Sequence, residues 1–283
     1  MQTKIRMRMN TDIMTTILSS SVLTSVFFGL IYIYLEKKYP LSNSYKFKLH
    51  DKIEDSIYYL IDEYSWKILL QFITVVTQVF SLFYIYSLLK NFTFFNAKIN
   101  ISNPILNFIL FFILRDLTKY FFHRLLHNSV LWKLHKVHHS TENLNWMSQF
   151  RVHWAESFIF NIVNCWVFIF MNVSEYNLII VQILECQLTF IAHANIKFKY
   201  WPLQGYLNNT LTHHWHHAKQ SVYSGGQNFG AILIIWDRIL NTYYCPMNST
   251  DISYGLEKSE YFPRTYSKKI LYAIFPLLDY TKK

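Results

Sequence analysis

Two long apolar runs constrain the fold of this chain more than any other feature of its sequence. Residues 12–35 carry a charge only at Asp12, and residues 68–89 carry none. Each run exceeds the roughly 20 residues that an α-helix needs to cross the hydrocarbon core of a bilayer. Basic residues ahead of the first run also admit a cleaved signal peptide, but that run is long and lacks a small-residue exit site. We therefore expect both runs to be membrane-spanning helices.

Three further apolar stretches follow in the chain. Residues 104–122 are interrupted by Arg115 and Asp116, and the shorter runs 157–171 and 176–192 are separated by a turn-like segment. The two short runs predict a helical hairpin that dips into the membrane or spans it thinly. The apolar runs together predict an all-α, polytopic membrane helical bundle. The sequence has no internal repeat, so we expect a single such bundle.

Composition and charge narrow the classes of partner. Hydrophobic residues make up 52% of the chain and charged residues 16%, below the quarter or so of a soluble domain. The net charge of +10 favours anionic lipid, whereas the dispersed basic residues and the lack of a recognised motif argue against nucleic acid. Three cysteines without a CxxC pair argue against a disulfide framework or a thiolate zinc site.

The charge pattern also predicts an orientation. If the runs 12–35, 68–89 and 104–122 all cross the membrane, the segments 36–67 and 123–156 lie on one side of it. Both segments are rich in lysine and arginine, which places them in the cytoplasm by the positive-inside rule. The basic residues at the N-terminus favour the opposite orientation. The prediction follows the two segments because they carry more basic residues than the N-terminus does.

The histidines are concentrated in one third of the chain, since eleven of the twelve lie between His123 and His217. They include one HxxxH group and two HxxHH groups. Residues three and four apart share a helix face, so each group can bind metal together, and the adjacent imidazoles are splayed enough to serve two ions. The sequence leaves open whether His153 and His214 bind metal. The predicted metal ligands are His123, His127, His135, His138, His139, His193, His213, His216 and His217.

The number of histidines limits the choice of metal. Imidazole suits zinc, copper, iron and nickel. A tetrahedral zinc takes four ligands and a catalytic zinc three, so nine histidines are too many for one ion and about right for two ions of five- or six-coordination. The absence of an HExxH motif also weakens the interpretation as a zinc protease. Two iron ions are favoured, with zinc in the same positions as the alternative.

Together these motifs resemble the fatty acid hydroxylase superfamily, which includes sterol desaturases and methylsterol oxidases. Asp116 and Tyr120 precede the "HR" of the first pair, and the later groups read "LHKVHHS", "HANI" and "HHWHH". The closing segment "NFGAILIIWDRILNTYY" is similar to the end of the family's catalytic domain. The resemblance covers residues 104–246. At Trp154 and at Leu240-Asn241 the sequence differs from the residues that are usual in the family. These differences bear on the identity of the substrate rather than on the metal site.

The resemblance implies a non-haem centre of two iron ions that uses dioxygen to hydroxylate or desaturate a lipid. Its catalytic region would be residues 104–246, which the charge pattern places at the cytoplasmic face of the membrane. Residues 1–103 would form the N-terminal transmembrane helices and a cytoplasmic loop, and residues 247–283 a C-terminal tail. Because no nucleotide or haem motif is evident, we expect electrons from a separate reductase, ferredoxin or small haem protein.

Polar residues near the histidines are candidates for supporting catalysis, because metal-bound histidines usually donate their second N–H to a carboxylate or carbonyl. Asp116 lies two helical turns before His123 on the same face, although a simple pair with Arg115 or Arg124 explains it equally well. The candidates are Asp116, Glu156, Asn195, Asn228 and Asp237.

A non-catalytic membrane protein that stores or transports transition metal is the alternative from another class. Such a transporter should place its ligands midway along spanning helices, whereas these clusters lie at predicted helix ends and in polar segments. The substrate stays open among sterols, fatty acyl chains, alkylglycerols and acylated amino-acid lipids.

Overall fold

The described part of the chain is α-helical. The computed structural model describes residues 27–42, 49–60, 101–171, 173–198, 202–219, 226–246, 252–257, 262–263 and 265–272. Within these ranges the only β-structure is three isolated bridges, so the prediction of an all-α chain is confirmed for them. Residues 27–38 are helical. The α-helices that follow are α1 (Leu49–Leu60), α2 (Pro104–Leu126), α3 (Trp132–His135), α4 (Trp154–Met171), α5 (Glu175–His193), α6 (Thr210–His216), α7 (Ile235–Ile239) and α8 (Tyr266–Tyr272).

Helix α2 begins where local chemistry favours a start. Asn103 precedes it, and its side-chain oxygen accepts hydrogen bonds from the backbone N–H groups of Ile105 and Leu106 at 3.0 and 3.1 Å. Pro104 occupies the first helical turn, where its missing N–H removes no helical hydrogen bond. The helix therefore has a fixed beginning, and it runs on beyond the predicted run 104–122 to the first histidine pair.

The two short apolar runs form consecutive helices, α4 and α5, with Ser174 capping the second. Helix α4 packs against α2, while α5 packs against α6 and the 3-10 turn Trp146–Phe150. Among the described residues, none of the helices has both the length and the hydropathy for a membrane crossing. The predicted span 68–89 and the first part of 12–35 lie outside those residues.

Apolar side chains form two cores among the described residues. One joins the N-terminal helical residues to α5 and the loop after α3, and it includes Tyr32, Trp146 and Phe190. The other lies between α2 and the α4–α5 connection and is centred on Phe111 and Met171. The first core includes Val137 and Ala194, which adjoin His138 and His193 in the sequence, so it lies beside histidine-bearing segments.

A buried ion triad ties α2 to α5. Arg115 donates to both carboxylate oxygens of Glu185, at 2.8 and 3.0 Å, and Lys119 contacts the same carboxylate at 2.6 Å. Buried charges require such pairing because an uncompensated charge in the interior is costly. We call Arg115, Lys119 and Glu185 the helix triad.

Candidate metal centre

The histidines lie where helices end. Helix α2 carries His123 in its last turn and ends on His127, while α5 ends at His193. The first HxxHH group begins at the end of α3 and continues into a 3-10 turn. The second occupies the last turn of α6 and its C-cap residue. Because these ends converge, histidines distant in sequence become neighbours.

The converging side chains form two separate clusters. All nine predicted ligands belong to one of them, and within each cluster the ligand atoms lie within 4.8 Å of one another. The five-histidine cluster consists of His123, His127, His135, His139 and His216. The four-histidine cluster consists of His138, His193, His213 and His217.

Adjacent histidines divide between the clusters. His138 and His139 have ring planes 86° apart, and the planes of His216 and His217 are 89° apart. One member of each pair enters the five-histidine cluster and the other enters the four-histidine cluster. The HxxHH spacing thus places one imidazole of each adjacent pair in each cluster, an arrangement that would serve two ions.

Backbone carbonyls orient the imidazoles of the five-histidine cluster. His123 donates from Nδ1 to the carbonyl of Phe229 at 2.9 Å, and His216 donates from Nδ1 to the carbonyl of Gln227 at 2.7 Å. A carbonyl oxygen only accepts, so each Nδ1 carries the proton and each Nε2 presents a lone pair. The Nε2 atoms of His123 and His135 lie 3.2 Å apart.

The same arrangement recurs in the four-histidine cluster. His193 donates from Nδ1 to the carbonyl of Thr189 at 2.9 Å, and His138 donates from Nδ1 to the carbonyl of Arg151 at 3.3 Å. Their bare Nε2 atoms lie 3.2 Å apart, and the Nε2 of His213 lies 3.0 Å from that of His193. The facing lone pairs of His138 and His193 repel at this distance unless a cation lies between them.

Burial keeps the imidazoles neutral. Desolvation lowers the pKa of His123 to about 4 and that of His193 to about 3. In the other seven ligands, burial first and neighbouring histidines second hold the pKa well below its usual value. Neutral imidazole is the form that binds a metal ion, so the site needs no proton loss before it binds one.

Several ligand atoms have no other partner. The Nε2 atoms of His127, His139 and His216 are buried without a hydrogen bond among the described residues. Buried polar atoms are normally paired, and a metal ion would supply the partner. Nitrogen-only ligand sets suit zinc, copper, iron or nickel, and sets of five and four exceed what two catalytic zinc ions use.

One predicted supporting carboxylate touches a ligand directly. Glu156, in the first turn of α4, lies with Oε1 2.8 Å from Nδ1 of His135. Burial raises the pKa of Glu156 to about 8. A cation on His135 would favour the carboxylate form of Glu156, because a nearby positive charge lowers the pKa of an acid.

Asp237 acts on the site through the backbone. Its carboxylate accepts from the N–H groups of Phe229 and Gly230 at 2.7 and 2.8 Å and from the hydroxyl of Thr242 at 2.7 Å. Phe229 is the residue whose carbonyl holds His123. Asp237 therefore fixes the loop that orients a ligand without touching a histidine in the described contacts.

Gly226 permits a close approach to the five-histidine cluster. Its φ is +103°, and a Cβ atom there would lie 2.9 Å from Nδ1 of His127 and 3.0 Å from Cζ of Phe229. Both the backbone conformation and the space favour glycine at this position.

The other predicted polar residues support the frame rather than the histidines. Asp116 accepts from the backbone N–H groups of Ile232 and Leu233 and from the indole N–H of Trp236, at 2.8 to 3.1 Å. Asn195 binds the backbone of Ser42 through its side chain.

Asn228, in a left-handed conformation with φ of +55°, bonds to the backbones of Thr212 and Tyr244. In the described contacts, neither it nor Asp116 nor Asn195 reaches an imidazole with its side chain.

The two histidines that the sequence leaves open lie in neither cluster. His214 accepts from the hydroxyl of Tyr254 at 2.7 Å, and its Nε2 donates to the carbonyls of His193 and Ala194. His153 accepts at Nδ1 from the N–H of Ala155 at 3.1 Å. The role of Tyr254 could not be inferred from the sequence, because a lone tyrosine 40 residues from its partner carries no motif.

Comparison with known proteins confirms the resemblance found in the sequence. The sequence model of the fatty acid hydroxylase family matches residues 108–242, which contain both clusters. No solved structure matches the chain significantly.

Characterised relatives cover about half of this chain. An alkylglycerol monooxygenase of Caenorhabditis elegans is 30% identical over 54% of the chain and 30% of its own length. The ornithine lipid hydroxylase OlsE of Rhizobium tropici is 27% identical over 51% of the chain and 44% of its own length. The human alkylglycerol monooxygenase is 29% identical over 50% of the chain and 31% of its own length. The chain thus spans less than half the length of these relatives.

Proposed function

Because residues 108–242 belong to the fatty acid hydroxylase family, we propose that this chain is a membrane-bound, non-haem di-iron oxygenase. It would use dioxygen and external electrons to hydroxylate or desaturate a lipid. The observation that carries the proposal is the pair of histidine clusters whose Nε2 lone pairs converge.

The two clusters provide the residues that would hold the metal. Five histidines would bind one iron ion and four the other, through the nitrogen atoms of neutral, largely buried imidazoles. The bound ions would supply the activation of dioxygen that oxidation of an unactivated C–H bond requires.

The chain's own groups would orient the ligands and exclude water. The carbonyls of Phe229, Gln227 and Thr189 fix the tautomer and direction of three imidazoles, and the carboxyl of Glu156 directs that of His135. Such partners commonly tune both metal affinity and activity. The ring of Phe229 is buried and lies within 6 Å of the rings of His123, His127 and His216, which limits the access of water.

A lipid substrate is supported by two observations. Helix α5 exposes an apolar face that includes Tyr176, Ile180 and Ile183, and α2 exposes Ile105 and Ile109. Contiguous apolar surface of this kind is typical of contact with a membrane or partner. The relatives are named for lipid oxygenation, as an alkylglycerol monooxygenase and an ornithine lipid hydroxylase, which favours hydroxylation over desaturation here.

The test is product formation by the purified protein in lipid vesicles with an electron donor. We expect about two irons per chain and a hydroxylated lipid that carries label from oxygen-18 gas. A desaturated product would carry no label but would still consume dioxygen. His139→Ala should abolish turnover, whereas His50→Ala, outside the histidine-rich window, should not.

Other outcomes would contradict the proposal. Turnover without dioxygen, or label that arrives from water, would indicate hydrolytic metal chemistry. Iron binding without lipid oxidation, in the presence of dioxygen and electrons, would favour the metal-storage alternative.

A further inference from the structure

Four buried charged residues meet beside the four-histidine cluster. Arg151 donates through Nε to Asp55 at 2.8 Å and contacts Glu54 at 3.1 Å. Lys269 contacts the other oxygen of Glu54. The side chains of Arg151 and Asp55 are 1% and 0% exposed, so solvent does not compensate their charges. We call Glu54, Asp55, Arg151 and Lys269 the ion clamp.

The ion clamp is connected to a ligand through one peptide group. Arg151 is the central residue of a tight turn, with φ of −72° and ψ of 73°, in which the N–H of Val152 donates to the carbonyl of Phe150 at 2.8 Å. These are the angles of an inverse γ-turn. The turn leaves the carbonyl of Arg151 free to accept from Nδ1 of His138.

Asp55 also fixes the start of the segment that carries this turn. It accepts from the side-chain amide of Asn145 at 2.8 Å. Asn145 and Ser148 cap each other reciprocally around the 3-10 turn Trp146–Phe150. One carboxylate thus anchors both ends of residues 145–151, and a shift of this anchor would move the carbonyl that holds His138.

The ion clamp differs from the supports of the five-histidine cluster in its position along the sequence. Phe229, Gln227 and Glu156 all lie within residues 108–242, the part that matches the family. Glu54, Asp55 and Lys269 lie outside that part, in α1 and α8. The residue whose carbonyl orients His138 is therefore held by segments that flank the part matching the family.

We propose that the ion clamp positions His138, so that residues outside the family domain determine how firmly the four-histidine cluster holds its metal ion. Asp55, Glu54 and Lys269 act as positioning residues through Arg151. This inference rests on the proposed metal binding, and it adds a role for the flanking helices.

The test compares Asp55→Asn with Glu185→Gln in the full-length protein loaded with iron. Glu185 of the helix triad is a matched control, because it is also a buried carboxylate that pairs with an arginine. We expect Asp55→Asn to release one of the two ions to a chelator roughly 10–100-fold faster, as is usual when a ligand's support is lost. The other ion should leave at the wild-type rate, and only one of two Mössbauer components should change.

Each outcome distinguishes the positioning role from a general loss of stability. Release of both ions at wild-type rates from folded Asp55→Asn, or equal acceleration of both ions in Asp55→Asn and Glu185→Gln, would overturn the inference. If Asp55→Asn does not fold, Glu54→Gln tests the same idea, because Asp55 keeps its bonds to Arg151. A wild-type protein that binds no metal would instead refute the proposed function.

Discussion

The two histidine clusters share one ligand chemistry but are supported differently. The five-histidine cluster is oriented by a carboxyl group, Glu156, and by carbonyls of the loop that Asp237 fixes. The four-histidine cluster is oriented by neutral carbonyls, one of which belongs to the clamped Arg151. One cluster position is thus oriented by residues within 108–242, whereas a support of the other position contacts helices outside that range. The two positions should therefore respond separately to substitution.

The largest effects should follow from removing one histidine from either of the two clusters. His139→Ala should lose the ion of the five-histidine cluster, and His138→Ala should lose the ion of the four-histidine cluster. Both should abolish lipid oxidation, because both ions are required in the proposed centre. Metal content and Mössbauer spectra of the two variants measure this, with His50→Ala as the control. Loss of both ions in each variant would mean that the clusters form one cooperative unit.

The next largest effect should come from Glu156→Gln. The amide still accepts from Nδ1 of His135 but lacks the negative charge that a carboxylate offers next to a bound cation. We expect the affinity of the five-histidine cluster to fall by roughly 10–100-fold, with no change at the other cluster. Competition with a chelator measures this, and Glu257→Gln at an exposed position serves as control. An equal effect at both clusters would mean that the two clusters are not supported separately.

A smaller effect should follow from Gly226→Ala. The added Cβ would meet His127 and would force a left-handed conformation on alanine, at a cost of about 1–3 kcal/mol. Gly255→Ala is the matched control, because φ is +98° there and the nearest atom belongs to Glu142. Denaturant unfolding should show similar losses of stability in both variants. Only Gly226→Ala should speed metal release from the five-histidine cluster, and similar release in both would contradict the close approach.

The smallest effect should come from Tyr254→Phe. The change removes the hydroxyl that donates to His214, and a hydrogen bond of this kind contributes about 1 kcal/mol. Thermal unfolding should shift accordingly, while both ions stay bound because His214 belongs to neither cluster. If an ion were lost, His214 would have to be counted among the supports of the four-histidine cluster through the carbonyl of His193.

The sequence allows much of the ligand set to be predicted but little of its support. Spacing places histidines three and four apart on one face, and the structure brings the nine together. Their partners are largely backbone carbonyls, such as those of Phe229 and Thr189, and a carbonyl has no side chain that marks it in the sequence.

Asp116 shows where the helical pattern misleads. It shares a face of α2 with His123, but seven residues of helix separate them by about 10 Å. The carboxylate instead accepts from backbone and indole N–H groups near Trp236. The ion clamp could not be predicted either, because its members are about 96 and 215 positions apart in the sequence.

The contact between Lys269 and Glu54 has a consequence for biosynthesis. It joins residues 215 positions apart, so it cannot form until the ribosome has released residue 269. At about 5–20 residues per second, Glu54 waits for on the order of ten seconds or more after its own synthesis. In the last part of that interval, after residue 217 has been synthesised, all nine candidate histidines are present in the nascent chain. Iron delivered early would therefore meet a complete five-histidine cluster before the clamp beside the other cluster is closed.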